Sequence, residues 1–153
     1  MTLASMPEHL IALCWPHVVM LLSAFGAATL LPFSSEIVMA AQIKAGTAGP
    51  AALVASATIG NVAGSAFNWW LGAHVRRFEN RRWFPFKPAD IERASVQFRR
   101  FGVWSLAFAW LPVVGDPLTF VAGVLRVPLP VFLPLVAIGK GGRYVALAVA
   151  LTS

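Results

Sequence analysis

Residues 110–117 read W-L-P-V-V-G-D-P, two prolines bracketing a glycine and a carboxylate inside the apolar run 101–125. Proline lacks an N–H and clashes with the carbonyl one turn back, so a regular helix is disturbed here. An acid in such a run is costly in hydrocarbon and needs a partner. A second version stands at residues 31–36, L-P-F-S-S-E. Leu31 and Leu111, Pro32 and Pro112, and Glu36 and Asp116 are each 80 residues apart, as are Pro50 and Pro130, which open the next apolar run in each half. The chain reads as two copies of one membrane unit, each with a broken helix and an internal acid.

Of the 153 residues, 58% are hydrophobic and 12% charged, with a mean hydropathy of +0.73. Soluble domains carry about 25% charged residues. Four stretches, 10–32, 50–75, 101–125 and 127–152, approach the ~20 apolar residues of a bilayer span. The expectation is an all-α integral membrane protein forming a single membrane domain over 1–153. Repeat one covers about 18–75, a basic linker 76–100, and repeat two 101–152.

The net charge of +6 is uneven. Residues 76–100 hold Arg76, Arg77, Arg81, Arg82, Lys87, Arg93, Arg99 and Arg100 against Glu79, Asp90 and Glu92, eight cations against three acids. Between two membrane runs this patch is a cytoplasmic loop under the positive-inside rule, in contact with anionic headgroups rather than nucleic acid. Pro88 and Asp90 suit the first turn of an amphipathic helix, with Ile91, Ala94, Phe98 and Phe101 on one face. Trp83, Phe84 and Phe86 just before it suit a membrane interface. The one cysteine, Cys14, excludes an internal disulfide, and His9, His17 and His74 lack metal-pair spacing. No basic region precedes the first apolar run and Pro16 interrupts it, so a cleaved signal peptide is not expected.

After Pro32, Ser34 or Ser35 suits the N-cap of a short helix over 37–43, roughly 10 Å long against a ~30 Å hydrocarbon core. The second apolar arm, 101–111, is roughly 16 Å. These lengths fit re-entrant hairpins turning at Pro32 in one half and at Pro112, Gly115 and Pro117 in the other. A single kinked span of 25 residues through Asp116 is also long enough to cross. The run 50–75 carries Ala52, Ser56, Gly60, Gly64, Asn68 and Gly72 at every fourth position, a stripe that admits close helix approach. Asn61 lies mid-span. Lys140 and Arg143 lie near the middle of the last run, where a basic residue costs roughly 2.5–3.5 kcal/mol to insert. Glu36 and Asp116 are the only acids outside the loop and the leader, so they are expected to meet these cations. Gly60-Asn61 corresponds to Gly139-Lys140 at offset 79. A hairpin plus one span crosses once, so the second copy is inverted. Secondary transporters place substrates between such repeats, at broken helices.

L-L-P-F-S-S-E (30–36), G-N-V-A-G (60–64), W-L-P-V-V-G-D-P-L-T-F-V-A-G (110–123) and G-K-G-G-R-Y-V-A (139–146) resemble the DedA superfamily of VTT, or SNARE-associated-domain, membrane proteins, in particular its short YqaA-like branch. The resemblance covers most of residues 22–150. It implies opposed re-entrant hairpins, a bacterial inner-membrane location and lipid flipping or scrambling, with undecaprenyl phosphate and phospholipids as substrates and proton-motive force involved. The family's acids and arginines carry over to Glu36, Asp116 and Arg143. Of the arginine-bearing stretch that follows the second hairpin in longer members, this chain keeps Arg126.

The expected function is a translocase of an anionic lipid, possible proton coupling included. The candidate substrate- and proton-binding set is Glu36, Asp116, Arg143, Lys140, Asn61 and Arg126, with Gly26, Gly60, Gly64, Gly123, Gly141 and Gly142 permitting sliding. Membrane lipids are the expected partners, with a second copy of the chain as a candidate. Two alternatives stand beside this: a proton-coupled transporter of a small ion or solute, and a structural or assembly protein with a static buried charge network. Paired histidines, a Ser-His-Asp set and a phosphate-binding glycine loop are missing from the sequence, so neither an enzyme nor a cofactor is expected.

Overall fold

Proline and glycine punctuate this chain, and the helices follow them. The computed structural model describes residues 8–29, 34–74, 88–111 and 114–153. The elements are α1 (Glu8–Thr29), α2 (Ser34–Ala45), α3 (Pro50–Ala73), α4 (Pro88–Phe101), a 3-10 helix (Gly102–Phe108), α5 (Gly115–Val124) and α6 (Leu129–Thr152). Pro32, Pro112, residues 75–87 with Trp83, Phe84 and Phe86, and the side chains of Ser34 and Asp90 lie outside the described residues.

α3 and α6 begin where the sequence suggests. Pro50 stands at the first turn of α3, where its missing N–H costs nothing, and Pro130 at the first turn of α6. Each helix has 24 residues, about 36 Å. Together with residues 10–29 of α1 they are the three described helices long and apolar enough to cross a membrane. α1 and α6 run on through Pro16 and Pro134. The fourth apolar stretch, 101–125, is not one helix. Gly102, at φ +59°, ends α4 and turns the chain into the 3-10 helix, and α5 starts afresh at Gly115. The run is therefore divided between a 3-10 helix and α5 and is not one continuous helix. α2 has 12 residues and α5 has 10, about 18 and 15 Å, both short of a bilayer. α2 is longer than the expected 37–43. Ser35 lies inside it and is fully buried, its hydroxyl turned to Tyr144 rather than capping the helix.

α3 is the hub, packing on α1, α2, α5 and α6. Its small-residue stripe is why. A Cβ at Gly60 would collide with the Leu21 carbonyl, one at Gly64 with Ala28 and the Phe25 carbonyl, and one at Gly72 with the Phe120 carbonyl. In return, a Cβ at Gly123 of α5 would strike the Trp69 carbonyl of α3. Among the other stripe members, Ser56 meets His17 (3.1 Å) and Asn68 donates to the Ala28 carbonyl (2.8 Å). Gly139 of α6 stands where Gly60 stands in α3, and its Cβ would press on the Ala107 carbonyl of the 3-10 helix. Gly60 and Gly139, each ten residues into its helix, thus both mark close backbone approaches, to α1 and to the 3-10 helix.

α4 buries Ala94 and Phe98, with Ile91 beside them, against a core that includes Leu106, Leu118 and Val121. Its apolar face is therefore largely used inside the protein, and Phe101 alone of the four stays half exposed. The Glu92–Arg99 pair on the outer face (3.5 Å) is exposed on both sides and adds little. α5 ends in a Schellman motif: Val127 N–H donates to the Ala122 carbonyl and Arg126 N–H to the Gly123 carbonyl, both at 2.9 Å. Arg126 holds the left-handed position, φ 54°, that usually belongs to glycine.

Two outcomes follow for stability in detergent, read by thermal unfolding. Gly72→Ala and Gly123→Ala each destabilise by about 1–3 kcal/mol, since backbone must move aside. Arg126→Gly relieves the left-handed strain and stabilises by about 1 kcal/mol.

Candidate functional site

Asn61 stands eleven residues after Pro50 and twelve before Ala73, and Lys140 stands eleven after Leu129 and twelve before Thr152. Both are therefore roughly 17 Å from either end of their helices. The two mid-points touch. The Lys140 ammonium donates to Asn61 Oδ1 and to Asp116 Oδ1, the latter at 2.9 Å. The lysine is buried to 4% side-chain exposure, while Asp116 keeps 30%.

From Asn61 the network continues. Its Nδ2 donates to the Tyr144 hydroxyl at 2.8 Å, and that hydroxyl shares a hydrogen bond with Ser35 Oγ at 2.9 Å. Asp116, Lys140, Asn61, Tyr144 and Ser35 thus form one polar chain running from the first turn of α5 through the middle of α6 and α3 to the first turn of α2. Gly115 lets α5 start there, since a Cβ on it would strike the Ala109 carbonyl, and Pro117 is buried behind it.

Arg143 stands one turn beyond Lys140. Its Nε approaches Glu36 Oε1 at 3.4 Å, an ion-pair contact without hydrogen-bond geometry. Its Nη1 donates to the Trp110 carbonyl at 3.2 Å, and the guanidinium lies 5.2 Å from the Tyr144 ring centroid. Among the described residues the buried Nε–H donates to no hydrogen-bond acceptor. Glu36 and Asp116 both occupy the first turn of a short helix, where the backbone dipole favours negative charge. Two cations and two carboxylates balance. The cluster can therefore exchange one anion for another, or take one extra anion together with a proton.

The expected meeting of acids and cations occurs, as Asp116 with Lys140 and Glu36 with Arg143. Arg126 is not part of it. It is exposed at the end of α5, beside Trp69 and His74. Tyr144 and the Trp110 carbonyl were not assigned to the site from the sequence, and Ser35 was expected only as a candidate helix cap. Tyr144 had a signal, being the sole tyrosine, next to Arg143 and four residues after Lys140. A further buried polar group, Asn68, reaches Thr119 Oγ1 at 3.5 Å, and Thr119 donates to the Asp116 carbonyl at 2.7 Å. Among the described residues no three His, Cys, Asp or Glu side chains converge as metal ligands.

Removing one member of the central pair strands the other. Asp116→Asn leaves an ammonium with no anionic partner at depth and costs about 3–5 kcal/mol, more than Lys140→Met, which leaves a partly exposed acid. The double variant Lys140→Met/Asp116→Leu recovers much of the loss. Unfolding in detergent of the two singles and the double gives the coupling directly.

The VTT domain family matches residues 15–153. "Inner membrane protein YqaA" of Escherichia coli K12 is 38% identical over 128 residues, which cover 84% of this chain and 85% of that protein. A Haemophilus influenzae relative, named only as an uncharacterized protein, is 36% identical over 138 residues, covering 84% of this chain and 82% of its own. No solved structure matches. A match spanning most of α1, all of the later helices and every charge of the central cluster establishes that the chain belongs to the VTT-domain, or DedA, family of membrane proteins.

Proposed function

We propose that this protein is an inner-membrane translocase that carries an anionic lipid headgroup across the bilayer through the Lys140–Arg143 centre. One observation carries the reading: two cations sit mid-way along a membrane-length helix, each held by an acid at the start of a short helix. A phosphate has the charge and the acceptor oxygens to take a carboxylate's place on Arg143, which can grip it through two N–H groups. The loose 3.4 Å Glu36 contact makes that exchange cheaper than at Lys140. The balanced charge of the cluster ties entry of an anion to uptake of a proton by a displaced acid. Asn61 and Tyr144 supply polar lining.

In this reading the part of α1 from residue 18 onward with α2, and the 3-10 helix with α5, are opposed re-entrant hairpins, and the two halves are inverted repeats. Support comes from the offset of 80 between the acids, from the matching glycines Gly60 and Gly139, and from the contact of Asn61 with its counterpart Lys140. Residues 76–100 face the cytoplasm. Arg126, outside the cluster, serves headgroups at the membrane surface, next to Trp69 and His74.

The test is flipping of fluorescent phosphatidylglycerol and of a polyprenyl phosphate in proteoliposomes, with the outer pool bleached by dithionite. Arg143→Ala lowers the rate about 30- to 150-fold, as loss of a charge-assisted pair of about 2–3 kcal/mol requires. Arg143→Lys keeps part of it. Undiminished flipping by Arg143→Ala, with the protein folded, sinks the assignment and favours a static charge network.

A further inference from the structure

Beside Arg143 lies an open groove of about 400 Å³, between the end of the 3-10 helix and the outer face of α6. Its floor is Gly139 and Gly142, and its walls are Ala107 and Trp110. Ile138 and Ala146 stand at its two ends along α6. Eight residues separate those ends, about 12 Å of helix. Ile138, Gly142 and Ala146 are exposed, and so are Val145 and Val149 on the same side of the helix, the pattern of a surface turned to lipid. The groove is apolar except at one point. There Arg143, 20% exposed, faces it with a guanidinium whose only hydrogen bond among the described residues goes to the Trp110 carbonyl.

The two floor glycines differ. A Cβ on Gly139 would press on the Ala107 carbonyl, so Gly139 is needed for packing. A Cβ on Gly142 would meet nothing within 4 Å. Packing gives no reason for glycine there, and in a helix interior glycine is worse than alanine by about 1 kcal/mol. Its effect is to keep the groove open next to the cation.

We infer that this groove is a lateral lipid site, in which one hydrocarbon chain of a phosphate-bearing lipid lies along Gly139–Gly142 while its phosphate sits on Arg143. The commitment to a lipid, and not to a free phosphate, rests on the cation standing inside an apolar groove on the face of α6 that is otherwise covered by exposed Ile and Val. The inference rests on the proposed translocase reading, to which it adds the side from which the substrate enters. It concerns occupancy, so it is separable from transport.

The experiment uses the full chain in proteoliposomes containing phosphatidylglycerol with a diazirine in one acyl chain, with adducts mapped by mass spectrometry. Adducts concentrate on Ile138, Ala146 and Trp110 over Leu13 and Ile37, exposed apolar side chains elsewhere. Gly142→Leu fills the groove. Displacing even two methylenes weakens occupancy about tenfold, and the adducts fall accordingly. Ala146→Phe, at the rim, acts in the same direction, and Arg143→Gln lowers the yield without filling space. Ala63→Leu, on the exposed side of α3, leaves it unchanged. Adducts spread evenly over the apolar surface, or unaffected by both filling variants with the proteins folded, overturn the inference. Flipping separates the two claims. Wild-type flipping that survives Gly142→Leu removes the groove and leaves the translocase. Groove labelling without wild-type flipping removes the translocase and leaves the site.

Discussion

A single ammonium group, Lys140 Nζ, constrains most of this structure. It sits midway along a 24-residue apolar helix with almost no exposure, where an unpaired charge costs several kcal/mol. It therefore needs an anion at the same depth, and Asp116 is there at 2.9 Å. For Asp116 to be there, the chain before it must stop being helical and α5 must begin beside α6. The 3-10 helix and Gly115 provide that start, one as the arm and the other as the close approach. The second partner, Asn61, requires that α3 and α6 touch near their mid-points. One buried charge thereby sets the depth of α5 and the contact of the two long helices.

Glycine does the rest of the positioning. In hydrocarbon no hydrophobic effect drives helices together, so contact must come from packing and hydrogen bonds. Gly60, Gly64, Gly72 and Gly123 bring backbones into contact along α3, and Ser56 and Asn68 add hydrogen bonds on the same face. The two stretches that lead into the short helices differ. The first leads into its short helix with the long, regular α1. The second uses a 3-10 helix, because Gly102 turns the chain out of α4 immediately before it. α4 then folds its apolar face back onto α5 and the 3-10 helix, so the linker helix serves partly as core.

The two ion pairs are unequal, and that inequality suits exchange. Lys140 is enclosed, doubly bonded and nearly inaccessible, which makes it a fixed centre. Arg143 is held by a long contact to Glu36 and one backbone carbonyl, and it borders an open apolar groove. Under the proposed translocase reading, the enclosed Lys140 is the fixed member of the centre and the loosely paired Arg143 the one whose anion changes.

Sequence alone determined the parts of this protein whose cost is local. An apolar run long enough to span, a proline at a helix start, a small residue at every fourth position and a charge in mid-span each carry their energetic meaning without knowledge of neighbours. From them came α3 and α6, the stripe on α3, and the expectation that Glu36 and Asp116 meet Lys140 and Arg143. Tertiary structure alone decided which acid takes which cation. That choice depends on how each helix is rotated about its axis relative to the others, and helical periodicity leaves this free. The same freedom hid Tyr144 and Ser35 as links in the network, set Arg126 apart from it, and gave residues 101–125 a break where length alone permitted a span. The opening motif contains the acid, but only the packing of α3 against both α5 and α6 makes that acid the counter-charge of Lys140.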